Sequence, residues 1–95
     1  MKNKEKTAKQ LERHFKGISN HWRIAVLLLL NDRSNLTLNE IIENLNMNMK
    51  TASEHTRRLV QAGLINKQYR GREVVHTLSP YGKIIVKFIK TFQYS

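Results

Sequence analysis

"NMNMKTASEHTRRLVQAGLI", residues Asn46 to Ile65, reads as one amphipathic helix closed by a glycine, and its polar side is unusual. Advancing about 100° per residue puts Met49, Ala52, Thr56, Leu59 and Val60 on one face. Lys50, Glu54, Arg57 and Gln61 fall on the opposite face, with Ser53 and Arg58 flanking them. A solvated face normally mixes signs, because Glu and Lys four residues apart support a helix by roughly 0.2–0.5 kcal/mol. Three bases and a Gln with a single acid point to selection by something other than helix stability.

The flanking segments say what kind of helix this is. "TLNE" at 37–40 has capping-box spacing, with Thr37 and Glu40 each able to serve the other's backbone amide. Leu38, Ile41, Ile42 and Leu45 follow as a one-sided stripe. Asn48 is a second N-cap, which leaves Asn46-Met47-Asn48 as a tight corner, and Asn accepts the left-handed backbone such a corner needs. Beyond Gly63 the period becomes extended. "LINKQY" and "EVVHTL" flank "RGR", a hairpin whose turn is served by Gly71 and whose tip is basic. "SP" at 79–80 then places an N-cap Ser before Pro at the first position of a last helix, running to about Phe92.

Upstream, Ala8, Leu11 and Phe15 give a short first helix over about Thr7 to Lys16, interrupted by Gly17. "SNHWRIAVLLLL" follows, with Ser19 as the expected N-cap of an apolar helix to about Asn31 that must lie in the core. "DRSN" is a loop by composition, with room for a short strand near 36–38 before the next helix. The expected fold is mainly α with a small β-hairpin, in the order α-α-α-α-β-β-α. Two helices joined by a tight turn and followed at once by a basic-tipped hairpin are a winged helix-turn-helix.

Size and charge agree. Ninety-five residues suggest a single domain spanning 1–95, with a frayed basic N-terminus at 1–6. Seventeen Lys and Arg against seven Asp and Glu give a net charge of +10. The excess is uneven: residues 1–47 hold eight bases and five acids, net +3, and residues 48–95 nine bases and two acids, net +7. Such a field attracts polyanions, either nucleic acid or an anionic membrane surface. No Cys is present, which removes disulfides and thiolate metal sites and suits the cytoplasm. The longest apolar run, Ile24 to Leu30, is too short to cross a bilayer, and the N-terminus has no secretory-signal pattern.

Several motifs resemble the ArsR-type transcriptional repressors over roughly Ser19 to Phe92. "HWRIAVLLLL" is similar to that family's second helix, "TASEHTRRLVQAGLI" to its recognition helix and following strand, and "RGREVVHTLSPYG" to its wing. Ser53, His55, Leu59 and Ala62-Gly63-Leu64 carry the likeness most closely. The resemblance implies a homodimer whose first and last helices pair across a two-fold axis, each subunit offering a recognition helix to double-stranded DNA. Many relatives sense metal through cysteines on the helix before the recognition helix. Here "LNEIIENLNM" has no Cys and the last helix no His, Asp or Glu, so that role does not carry over.

In this geometry Lys50 and Arg57 address guanine edges or phosphates, Thr51 and Ser53 phosphates or base edges, and Arg58 and Gln61 the backbone or an adenine. Glu54 accepts from a cytosine amino group, weakens binding, or holds Arg57 or Arg58 in place; the last is preferred. Arg70 and Arg72 reach a minor groove from the hairpin tip, with Lys67 as a weaker phosphate ligand. His14, His21, His55 and His76 share no metal-binding spacing and read as structural, His55 as a hydrogen-bonded packing residue. No nucleophile motif, carboxylate pair or Gly-rich phosphate loop supports catalysis, and neither a metal, a cofactor nor an effector is specified.

The last helix carries Ile84, Ile85, Phe88, Ile89 and Phe92 on one side and Lys83, Lys87 and Lys90 on the other. That pattern fits a membrane-surface helix as well as a dimer seam. Pairing with Leu11, Phe15 and the same helix of a second copy covers the apolar side without lipid, and is preferred. The competing function is a winged helix serving only as a protein or membrane interaction module.

Overall fold

Five helices and three short strands make up the computed structural model, which describes residues 5–94. The chain runs α1 (Ala8–Gly17), α2 (His21–Asp32), β1 (Leu36–Thr37), α3 (Leu38–Leu45), α4 (Met49–Gln61), β2 (Ile65–Arg70), β3 (Glu73–Leu78) and α5 (Pro80–Gln93). This is the expected winged helix-turn-helix order, with the short strand near 36–38 present as β1. The N-terminal fraying expected for residues 1–6 falls in part outside the described residues, and Glu5 and Lys6 are exposed and non-helical.

Caps decide where the helices begin. Thr7 and Gln10 form one capping box and Thr37 and Glu40 a second, each with both reciprocal hydrogen bonds in place. Asn48 Oδ1 accepts from the Thr51 amide at 2.8 Å. The sequence reading errs at α2: its N-cap is Asn20, whose Oδ1 accepts from the Trp22 and Arg23 amides. Ser19 instead donates its hydroxyl to the Phe15 carbonyl at 3.1 Å, closing the end of α1. A short polar side chain serves at either position, and the backbone of Asn20, extended at φ −168°, is the one with N-cap geometry.

The three strands form an antiparallel sheet in the order β1-β3-β2, with Leu36 opposite His76, Ile65 opposite Leu78 and Arg70 opposite Glu73. Gly71, at φ +63°, supplies the left-handed residue that the two-residue turn needs, and Gly63, at φ +75°, follows the end of α4. Helices and sheet share one core of Val26, Leu27, Leu30, Leu36, Ile41, Ala52, Leu59, Leu64, Ile65 and Val86. Met49, expected on the buried face of α4, is instead 55% exposed, because it stands at the first turn, beyond the edge of the core. α5 approaches so closely that a Cβ on Gly82 would collide with the Leu64 carbonyl. Ser79 locks that approach, donating to the Gly63 carbonyl at 2.7 Å and accepting from the Gly82 amide at 3.0 Å.

Candidate nucleic-acid interface

The corner between α3 and α4 turns on Asn46, left-handed at φ 55° and ψ 48°. It sets α4 across α3, with Ala52, Thr56 and Leu59 against the core. Thr56 has no hydroxyl to spare for a ligand, since Oγ1 donates to the Ala52 carbonyl at 2.8 Å. The exposed residues of α4 divide between two flanks.

On the hairpin flank, Lys50, Ser53 and Arg57 face Lys67 of β2 across an open groove of about 530 Å³, floored by Leu38, Val74 and His76. At its end the wing carries Arg70 and Arg72, both exposed, beside Tyr69. Thr51 is half-buried, its amide engaged by the Asn48 cap.

On the other flank, Arg58 and Gln61 line a depression with Arg13 and Lys16 of α1 and Arg23 of α2. Glu54 also touches the hairpin groove but pairs with Arg58, Oε2 to Nε at 3.2 Å, which is the preferred one of its three expected roles. The ten predicted DNA-facing residues thus belong to one helix and one hairpin, but Arg58 and Gln61 stand apart from Arg57. Sequence reading missed Arg13, Lys16 and Arg23, because their nearness to α4 follows from how α1 and α2 pack against it. α1 meets the end of α4 through His14 Nδ1, hydrogen-bonded to the Ala62 carbonyl at 2.9 Å, and through Gly17, where an added Cβ would collide with Ala62.

His55 departs from expectation. Its Nδ1 is buried and has no hydrogen-bond partner, as is true of Arg23 Nε. Burial chiefly, then the neighbouring Arg23, holds its pKa below the usual histidine value. His14 and His76 are structural as expected, His76 Nδ1 lying 2.9 Å from the Leu36 carbonyl.

The model of the family described as bacterial regulatory protein, arsR family, matches residues 20–67, from the start of α2 to the second residue of β2 beyond Ile65. The chain belongs to the arsR family. It is therefore a DNA-binding transcriptional regulator of the winged helix-turn-helix type, and not an enzyme.

Solved structures share the fold. HlyU from Vibrio cholerae superposes with a TM-score of 0.83 at 24% identity, over 97% of this chain and 100% of that one. PagR, a transcriptional repressor of Bacillus anthracis, gives a TM-score of 0.78 at 18% identity, over 85% and 93%. The homodimeric winged helix-turn-helix DNA-binding domain of Mb0332 from Mycobacterium bovis gives 0.76 at 23%, over 90% and 77%. Among curated proteins none matches the sequence significantly.

This arsR-family chain also leaves large apolar side chains of α1 and α5 exposed. Leu11 and Phe15 of α1 meet Tyr81, Ile84, Ile85 and Phe88 of α5 around an open apolar hollow of about 310 Å³. Ile84 (64%), Phe88 (47%) and Phe92 (65%) are strongly exposed, whereas Ile85 and Ile89 lean on the core. Among the described residues, no helix is long and apolar enough to cross a membrane. No group of three or more His, Asp or Glu there is placed to hold a metal ion.

Proposed function

We propose that this regulator acts in the cytoplasm as a homodimeric, sequence-specific repressor of double-stranded DNA sites, the whole chain serving as one winged helix-turn-helix unit. α4 enters the major groove, presenting Lys50, Ser53 and Arg57 to base edges and phosphates, with Thr51 and Gln61 at its margins. Glu54 holds Arg58 in register. Lys67 lies along the backbone, and Arg70 and Arg72 reach the adjacent minor groove. The observation that carries this reading is the gathering of Lys50, Ser53, Arg57 and Lys67 on one concave surface beside a basic hairpin tip.

Leu11, Phe15, Ile84, Ile85, Phe88, Ile89 and Phe92 form the dimer seam in this proposal. Support comes from their exposure and from the homodimeric state of the Mycobacterium bovis domain. Repression follows from occluding a promoter, and the repressor PagR has the same fold. Two recognition helices related by a two-fold axis lie one duplex turn apart, about 34–36 Å, so the operator is an imperfect palindrome.

The test is selection of a duplex from a random library, followed by anisotropy titration. Wild type should bind the selected duplex with affinity falling steeply as salt rises, and Arg57→Ala should lose about 1–3 kcal/mol of discrimination against other sequences. Equal affinity of Arg57→Ala for all duplexes tested, matching wild type, removes the proposed recognition face.

A further inference from the structure

A major groove is about 12 Å wide, and an α-helix with its side chains is about 10–12 Å across. A helix that fills the groove therefore has a phosphate wall beside each of its flanks. In this chain the hairpin flank of α4 accounts for one wall through Lys50 and Lys67. The opposite flank is the depression formed by Arg13, Lys16, Arg23, Arg58 and Gln61.

Four cations drawn from three helices converge there, and no carboxylate lines the depression. Lys16 has Glu12 at 3.3 Å and Arg58 has Glu54 at 3.2 Å, both exposed i, i+4 pairs that contribute little to stability and leave the cations' other N–H donors open to a further anion. Among the described residues Arg13 and Arg23 have no ion-pair partner, and Arg23 meets only the Ser19 carbonyl, from Nη2 at 3.4 Å. Burial chiefly, then nearby Arg58, lowers the Arg23 pKa, with Glu54 acting the other way. The protein gathers four like charges in one depression and, among the described residues, gives only Lys16 and Arg58 a counter-charge, each from its own helix, which is an arrangement that an external anion can complete.

We propose that Arg13, Lys16, Arg23 and Arg58 form a phosphate clamp on the duplex strand across the major groove from the wing, so that α1 and α2 join α4 and the hairpin in holding DNA. The clamp rests on the DNA-binding reading above and adds a second strand to it. Phosphates carry no base identity, so the clamp contributes affinity and register rather than choice of sequence.

The experiment compares two double variants by anisotropy from low to high salt, on the selected duplex and on an unrelated one. Arg13→Gln with Lys16→Gln removes two exposed charges from the clamp. Lys83→Gln with Lys90→Gln removes the same charge from the outer side of α5. The clamp pair should flatten the slope of log affinity against log salt by about 0.9 for each lost contact, about 1.8 for each subunit engaged. Its affinity should fall by the same factor on both duplexes, leaving their ratio unchanged, and Lys16→Arg should keep the wild-type slope. The α5 pair should retain nearly the full slope.

Equal slopes for the two double variants overturn the clamp while leaving the recognition face standing. A wild type without salt-dependent duplex binding overturns both. A clamp pair that changes the ratio between duplexes also counts against the proposal, because it would mean that these residues read bases.

Discussion

His76 is buried at the centre of the sheet, with Nδ1 donating to the Leu36 carbonyl at 2.9 Å, and a second imidazole, His55, has its Nδ1 buried without a partner. Burial is the largest influence on both and favours the neutral ring; for His55 the adjacent Arg23 adds repulsion, and for His76 Lys67 opposes the carbonyl bond. In the unfolded chain both rings take up a proton near the ordinary value of about 6.5. The folded chain takes it up only at lower pH, so the unfolded state binds more protons in between and stability falls as pH drops below about 6.5. Glu40, held below the usual carboxylate range by its bonds to Thr37, contributes its loss only at lower pH. Thermal melts should therefore decline between pH 7.5 and 5.5, less so in His76→Gln or His55→Gln, whatever those variants do to stability at neutral pH. Melting temperatures flat over that window in wild type would contradict the assignment of buried neutral rings.

At the scale of elements, the corner before α4 concentrates the local chemistry. Asn48 supplies the cap bond to Thr51, so Asn48→Ala should cost about 1 kcal/mol in denaturant titration. Asn46 is left-handed, so Asn46→Ala should cost roughly 1–2 kcal/mol while Asn46→Gly is nearly neutral. Equal stability of the two Asn46 variants would mean that the backbone there relaxes. These elements were legible in the sequence because their determinants are local: Thr37 with Glu40, Asn48 before α4, Gly71 in the turn and Pro80 at the start of α5 each act within four residues. Ser19 and Asn20 mark the limit of such reasoning. Both are good caps, and the choice between them depends on where α1 stops: Ser19 is taken up by the Phe15 carbonyl at the end of α1, which leaves Asn20 to cap α2. The split of the α4 face has the same origin. A helical wheel sets Arg57 and Arg58 about 100° apart on the polar side, but only the positions of α1, α2 and the hairpin assign one to the groove and the other to the opposite depression. Arg13, Lys16 and Arg23 were unreadable for that reason: on α1 alone, Arg13 and Lys16 belong to an ordinary charged face, and Arg23 is a single base at the start of the apolar helix α2.

For the whole molecule, a basic side fit for DNA stands beside a surface where large apolar side chains of α1 and α5 remain exposed. Leu11 (41% exposed), Phe15 (46%), Ile84, Phe88 and Phe92 lie on adjoining faces of α1 and α5, and Phe88 and Phe92 meet edge to face at 4.9 Å. Each large apolar side chain is worth about 1.5–3 kcal/mol when taken from full exposure to full burial, and these five keep between 41% and 65% of their surface in water, so a second copy that covers them on both subunits recovers a large part of that. Lys83 and Lys90 stay on the wet side of α5 and do not oppose that contact. Phe88→Glu places a charge in the middle of the proposed seam, where burial without a partner is prohibitive, while the core residues Gly82 and Val86 of the same helix are untouched. Light scattering at micromolar concentration should give twice the 11.2 kDa chain mass for wild type and the chain mass for Phe88→Glu. The consequence reaches DNA, because a dimer binds its second half-site as an intramolecular event. Affinity for a palindromic duplex should fall by about 10²–10⁴ in the variant, and affinity for a single half-site should hardly change. A monomeric wild type, or a Phe88→Glu variant that stays dimeric, would move the two-fold axis off this face, and with it the expected spacing of about 34–36 Å between half-sites.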